Sequence, residues 1–200
     1  FEANGIRRLH VVDLDGAASH HVVNYRTLDL IASRTSLIID FGGGLKSDED
    51  LIIALENGAQ MVTGGSSAVR NPELFCRWNS RYASGKIILG ADVKDRRIAV
   101  NGWKDESTCE LFPFLKDYTQ KGIEKVICTD ISCDGMLAGP SLDLYKEILA
   151  EHPTLYLIAR GGVSSIADIE ALHEAGVPAV IFGKALYEGR ITLKELQAFL

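Results

Sequence analysis

Asp92 ends the apolar run Ile87-Ile88-Leu89-Gly90-Ala91, so its carboxyl is expected at a strand end beside apolar walls, a setting that suits a general acid. Thr129-Asp130 ends a second apolar run, and Asp13 ends a third. For Asp13 and Asp130 a helix cap or a loop-orienting hydrogen bond is as good a reading as catalysis. Two further strand ends carry Gly-Gly, at Gly43-Gly44 and Gly161-Gly162, and the strand after each ends on Gly65-Ser66 or Gly183-Lys184. Glycine lets backbone N–H groups come close to an anion, and a helix starting there adds partial positive charge. Each pair could hold one phosphate; the plainer reading is a tight turn. Trp103, in the polar stretch Asn101-Gly102-Trp103-Lys104, could offer a flat ring a stacking surface or pack on a neighbouring helix.

These residues recur in register. Gly43-Gly44-x-x-Ser47-x-x-Asp50 returns 118 positions later as Gly161-Gly162-x-x-Ser165-x-x-Asp168, and the run ending in Asp13 returns as the run ending in Asp130. Such self-similarity marks a duplicated structural unit. Strands are expected at Leu9–Val12, Ser36–Asp40, Gln60–Thr63, Lys86–Ala91, Lys125–Thr129, Leu155–Ala159 and Ala179–Phe182. Their continuous apolar character fits parallel strands buried on both faces. Amphipathic stretches at Asp48–Asn57, Ser107–Lys121, Ser141–Glu151 and Ser165–Ala175 supply helices between them.

The expected fold is α/β, a (β/α)8 TIM barrel with an internal half-barrel repeat, and residues 1–200 are expected to form one domain. A doubly wound open sheet gives no reason for two matching halves. Seven strands and an opening Phe1-Glu2-Ala3-Asn4-Gly5 that reads as a helix end lead to the expectation that one βα unit precedes Phe1.

With 46% hydrophobic residues the chain can bury a core, and a net charge of −6 argues against a nucleic-acid surface. No apolar run reaches the roughly 20 residues of a membrane span. Cys76, Cys109, Cys128 and Cys133 form no Cys-x-x-Cys pair, so reduced thiols in a cytoplasmic protein are expected rather than disulfides or zinc.

Val11-Val12-Asp13-Leu14-Asp15-Gly16-Ala17, Gly42-Gly43-Gly44-Leu45, Asn101-Gly102-Trp103, Thr129-Asp130-Ile131-Ser132-Cys133-Asp134-Gly135-Met136 and Gly183-Lys184-Ala185-Leu186-Tyr187-Glu188-Gly189 run in order along the chain. Together they resemble the histidine-biosynthesis isomerases that act on phosphoribosylformimino-aminoimidazole carboxamide ribotide. The sister cyclase family shares the barrel and the half-repeat, but the Asp-Leu-Asp-Gly-Ala, Gly-Trp and Ala-Leu-Tyr-Glu-Gly stretches fit the isomerases better. The resemblance implies an Amadori rearrangement of an aminoaldose to an aminoketose with no cofactor and no metal.

By the same resemblance Asp92 is the general acid, and the general base falls on the strand expected before Phe1. Thr129 aligns the ribose, Trp103 stacks on the aminoimidazole ring, and Asp134 contacts substrate. Gly43, Gly44, Gly65 and Ser66 hold one phosphate of a bis-phosphorylated small molecule, and Gly161, Gly162, Gly183 and Lys184 hold the other. Cys133 and Lys184 stand where the family commonly has Arg. A monomer is expected, since both phosphate sites lie in one chain. Two alternatives are a dual-substrate isomerase that also accepts phosphoribosylanthranilate, and a phosphate-binding barrel without catalysis.

Overall fold

The computed structural model describes residues 1–82, 85–100 and 105–200. They fall into two compact units, residues 1–89 with Leu200, and residues 90–199. Each unit carries one copy of the repeated motifs.

In the first unit β1 (Arg8–Val12), β2 (Ile38–Gly42), β3 (Met61–Gly64) and the start of β4 (Ile87–Lys94) pair in parallel and in sequence order. The turn Glu2–Asn4 precedes β1 and stops at Gly5 with φ +86°. Between the strands run α1 (Leu14–Ser19), α2 (Tyr25–Arg34), α3 (Asp48–Glu56), α4 (Ser66–Arg70) and α5 (Pro72–Arg81). Helix α3 starts where it does because Ser47 and Asp50 form a capping box: Asp50 N–H donates to Ser47 Oγ at 3.2 Å, and Ser47 N–H donates back to the Asp50 carboxylate at 3.1 Å. Helix α5 has Pro72 at its first position and Asn71 as its cap. Ile39, Phe41, Leu51, Val62, Phe75 and Trp78 form the core, each at most 1% exposed.

In the second unit the end of β4 leads into β5 (Arg97–Val100) and β6 (Asp105–Glu110), an antiparallel excursion. Then come α6 (Leu111–Gln120), β7 (Lys125–Asp130), α7 (Leu142–Glu151), β8 (Tyr156–Arg160), α8 (Ile166–Glu174), β9 (Ala179–Ile181) and α9 (Lys184–Tyr187). β7, β8 and β9 pair in parallel, and Ile131 N–H donates to the Val93 carbonyl where β7 runs beside β4. Asp168 repeats the role of Asp50, accepting from the Ser164 and Ser165 N–H groups at 2.8 and 3.0 Å. Sequential parallel strands separated by helices give the expected α/β, TIM-barrel class of fold.

Two expectations need correcting. Residues 107–110 of the stretch read as helix Ser107–Lys121 belong instead to β6, which pairs along β5 with Arg97 opposite Glu110, so the helix begins only at Leu111. Strand β4 also continues past Asp92 to Lys94, because Val93 and Lys94 pair with Ile98 and Arg97. The described residues therefore hold nine strands rather than seven. Among them no helix is long and apolar enough to cross a membrane.

Candidate active site

The two Gly-Gly pairs have a common geometric cause. Gly43 and Gly44 have φ of +95° and +79°, and Gly161 and Gly162 have +99° and +82°, a region that L side chains rarely adopt. Space is also denied. A Cβ on Gly44 would lie 2.4 Å from the His21 carbonyl oxygen, and one on Gly162 2.0 Å from that of Gly139. His21 and Gly139 are themselves related by the repeat, as are Asp13 and Asp130, whose carbonyl oxygens face Gly43 and Gly161. The turn role of these glycines is thus observed, and it brings each loop down onto the loop after the preceding strand. Gly65 and Gly183 precede the short helices α4 and α9, placing Ser66 and Lys184 at their first positions.

Asp13 and Asp130 serve structure. The Asp13 carboxylate is 2% exposed and accepts from Gly16, Val23 and Asn24 N–H groups, each at 2.8 Å, and from Asn24 Nδ2 at 2.6 Å. Burial alone would raise its pKa, but the hydrogen bonds from Asn24, Gly16 and Val23 together outweigh burial and hold it below the ordinary value. Asp130 accepts from Ser132 N–H at 3.0 Å, from Ser132 Oγ at 2.6 Å and from Ser141 Oγ, fixing both ends of the loop that follows β7. Asp13→Ala is expected to lower stability by about 2–4 kcal/mol, read by urea unfolding. Because the folded pKa is depressed, this contribution is present above the unfolded value of about 3.9 and is lost as pH falls through the folded one.

Asp92 is half-buried, with Ala91 and Val93 on either side at 0% and 2% exposure. On neighbouring β7 Thr129 is fully buried, and its hydroxyl has no hydrogen-bond partner among the described residues. Cys128 is buried too. Its thiol is pushed far up, first by burial and then by the negative charges of Asp92 and Asp130. A thiol reagent should therefore modify half-exposed Cys76, Cys109 and Cys133 in the native protein and leave Cys128 until unfolding; native labelling of Cys128 would contradict its burial.

The second unit brings other expected residues together. Asp134 packs against the Gly161 turn, since a Cβ there would lie 3.4 Å from both Cα and Cβ of Asp134. Lys184 Nζ donates to the Gly135 carbonyl at 2.7 Å and lies 3.9 Å from Glu188, so its ammonium ties α9 to the loop after β7. Cys133 Sγ lies 3.2 Å from Ser141 Oγ, within the loop that Asp130 anchors. Trp103 lies outside the described residues.

Sequence reasoning missed two features of the first unit. Lys46, two positions after Gly44, is a half-buried lysine whose pKa is lowered by burial and then by the neighbouring Arg70 charge, against the opposing pull of Asp50. It places positive charge next to the Gly-Gly turn, and its signal was its position just past a strand end. The second is a polar network on three strands, formed by His10, Asp40 and Thr63. Its signal was polar residues inside otherwise apolar runs.

The family model described as "Histidine biosynthesis protein" matches residues 1–192. A Bacteroides fragilis (strain ATCC 25285) protein named 1-(5-phosphoribosyl)-5-((5-phosphoribosylamino)methylideneamino)imidazole-4-carboxamide isomerase is 96% identical over 200 residues, covering 100% of this chain and 84% of that protein. Proteins of the same name from Bacteroides thetaiotaomicron and Flavobacterium johnsoniae are 76% and 59% identical, covering all of this chain and 84% and 83% of theirs.

Proposed function

Since the chain belongs to the histidine biosynthesis protein family, we infer that it catalyses the reaction in its relatives' names, isomerising the bis-phosphoribosyl imidazole carboxamide aminoaldose to its aminoketose. The observation that carries this reading is the 96% identity with such an isomerase across all 200 residues.

The substrate's two phosphoribosyl groups suit the two repeated turns. In the first unit Gly43, Gly44, Gly65 and Ser66 hold one phosphate, with the charge of Lys46 beside them. In the second, Gly161, Gly162, Gly183 and Lys184 hold the other, and Asp134 contacts the substrate. Lys184 exchanges the Gly135 carbonyl for phosphate oxygen as it does so. Trp103 stacks on the imidazole.

Asp92 is the general acid. It gives its proton to the ribose ring oxygen as the C1′–O bond breaks, leaving a protonated Schiff base between C1′ and nitrogen. Removal of the C2′ proton by a base then yields an enolamine, which tautomerises to the aminoketone, so atoms and charge balance without an external reactant. The buried hydroxyl of Thr129, which has no hydrogen-bond partner among the described residues, bonds the opened ribose. Residues 1–200 act as one domain, and the enzyme works as a monomer in the cytoplasm.

The test is conversion of the aminoaldose ribotide by purified enzyme expressed from its whole coding sequence, with the aminoketose resolved chromatographically. Catalytic turnover is expected, and phosphoribosylanthranilate is expected to remain unchanged. Binding of the ribotide without conversion would leave a phosphate-binding barrel instead.

A further inference from the structure

The first unit contains a polar network that neither the fold nor the reaction above uses. His10, Asp40 and Thr63 stand on neighbouring parallel strands, with His10 opposite Asp40 in the β1–β2 register and Thr63 opposite Gly42 in the β2–β3 register. His10 Nδ1 lies 2.6 Å from Asp40 Oδ2, and the Thr63 hydroxyl donates to both Asp40 oxygens, at 2.8 and 2.9 Å. The Asp40 carboxylate is 6% exposed.

A carboxylate oxygen accepts hydrogen bonds, so Nδ1 carries a proton, and in the imidazole tautomer that this sets, the ring's lone pair lies on Nε2. Thr63 fills the other side of the carboxylate and stops it from turning. Nε2 has no hydrogen-bond partner among the described residues, and the His10 side chain is a tenth exposed. Beside the ring edge is Gly42, where an added Cβ would lie 3.8 Å from His10 Cε1 and 3.7 Å from Thr63 Cβ. Gly42 therefore has room for a methyl group and does not use it. The residue after Gly42 begins the Gly43-Gly44 turn.

We propose that Asp40 and Thr63 are positioning residues that fix the tautomer and direction of His10, so that its Nε2 accepts a hydrogen bond from a sugar hydroxyl of the phosphoribosyl group whose phosphate sits at Gly43-Gly44. The inference rests on the phosphate assignment of that turn. It adds a specificity contact: a ligand with phosphate but no hydroxyl within reach loses the bond to Nε2. Gly42 keeps the approach to the ring edge open.

The test uses long-range 15N–1H NMR of the histidine ring nitrogens, with ribose 5-phosphate and then inorganic phosphate as probes. In the parent enzyme the His10 ring should show the Nδ1-protonated tautomer. Ribose 5-phosphate should move the Nε2 resonance, and phosphate alone should not. Asp40→Asn should give mixed tautomers. Gly42→Ala, which the space at that position accommodates, should keep the tautomer and abolish the response to ribose 5-phosphate. In turnover, Asp40→Asn, Thr63→Val and Gly42→Ala should each raise KM by about 10-fold or more, with kcat changed less than about 3-fold.

An unchanged tautomer in Asp40→Asn, or a parent Nε2 signal that ignores ribose 5-phosphate, would overturn the inference. A parent enzyme that shows the Nε2 response without turning over the ribotide would instead contradict the isomerase reading.

Discussion

Asp92→Asn is expected to lower kcat by about 10²-fold or more while the variant folds and unfolds like the parent. An amide cannot supply a proton to the departing ring oxygen, so the ring-opening step loses its acid. The substitution is nearly isosteric and leaves the buried neighbours Ala91 and Val93 unchanged, so the effect on the fold is expected to be small. Steady-state kinetics with urea unfolding of the same preparations separates the two effects. A kcat within about 3-fold of the parent would remove Asp92 from the chemistry.

The second large effect is structural. Gly162→Ala should lower stability by about 2–5 kcal/mol, because two penalties coincide there. The backbone sits at φ +82°, and the new Cβ would lie 2.0 Å from the Gly139 carbonyl oxygen, so the loop after β7 must move. Gly176 separates these penalties. Its φ is +77°, yet none of the described residues lies within 4 Å of a Cβ placed there, so Gly176→Ala should lose only about 1 kcal/mol. Urea unfolding of both variants makes the comparison, and equal losses would contradict the close approach at Gly162. Gly44→Ala should follow Gly162→Ala, since its clash is with the His21 carbonyl at the matching place in the first unit.

Much of this was legible in the sequence for identifiable reasons. The Gly-Gly pairs were readable because all four glycines have left-handed φ and three of them, Gly43, Gly44 and Gly162, meet a carbonyl oxygen within 2.0–2.4 Å of a Cβ, so the duplication survives there as identical letters. The seven parallel strands were readable because strands covered on both faces become continuous apolar runs. β5 and β6 were not. Ile98-Ala99-Val100 is short and flanked by Asp95, Arg96 and Arg97, and the 105–110 segment takes its extended form from pairing with β5 rather than from a pattern of its own.

Among the strand-end acids, spacing left a cap and a catalyst equally open for Asp13. The four donors converging on its carboxylate decide for the cap. His10, Asp40 and Thr63 went unnoticed because their bonds run sideways between strands, and register across a sheet has no fixed spacing along the chain. The position of Lys184 just past a strand-end glycine was visible in the letters, but its hold on the Gly135 carbonyl was not.

The measurement that bears most directly on the isomerase assignment is turnover of the aminoaldose ribotide in deuterated water, with the product examined by mass spectrometry and NMR. Acid–base isomerisation predicts an aminoketose carrying solvent deuterium at C1′, formed catalytically by the parent enzyme and at least about 100-fold more slowly by Asp92→Asn. Recovery of unchanged ribotide after incubation with folded protein, or an aminoketose without solvent deuterium at C1′, would contradict it.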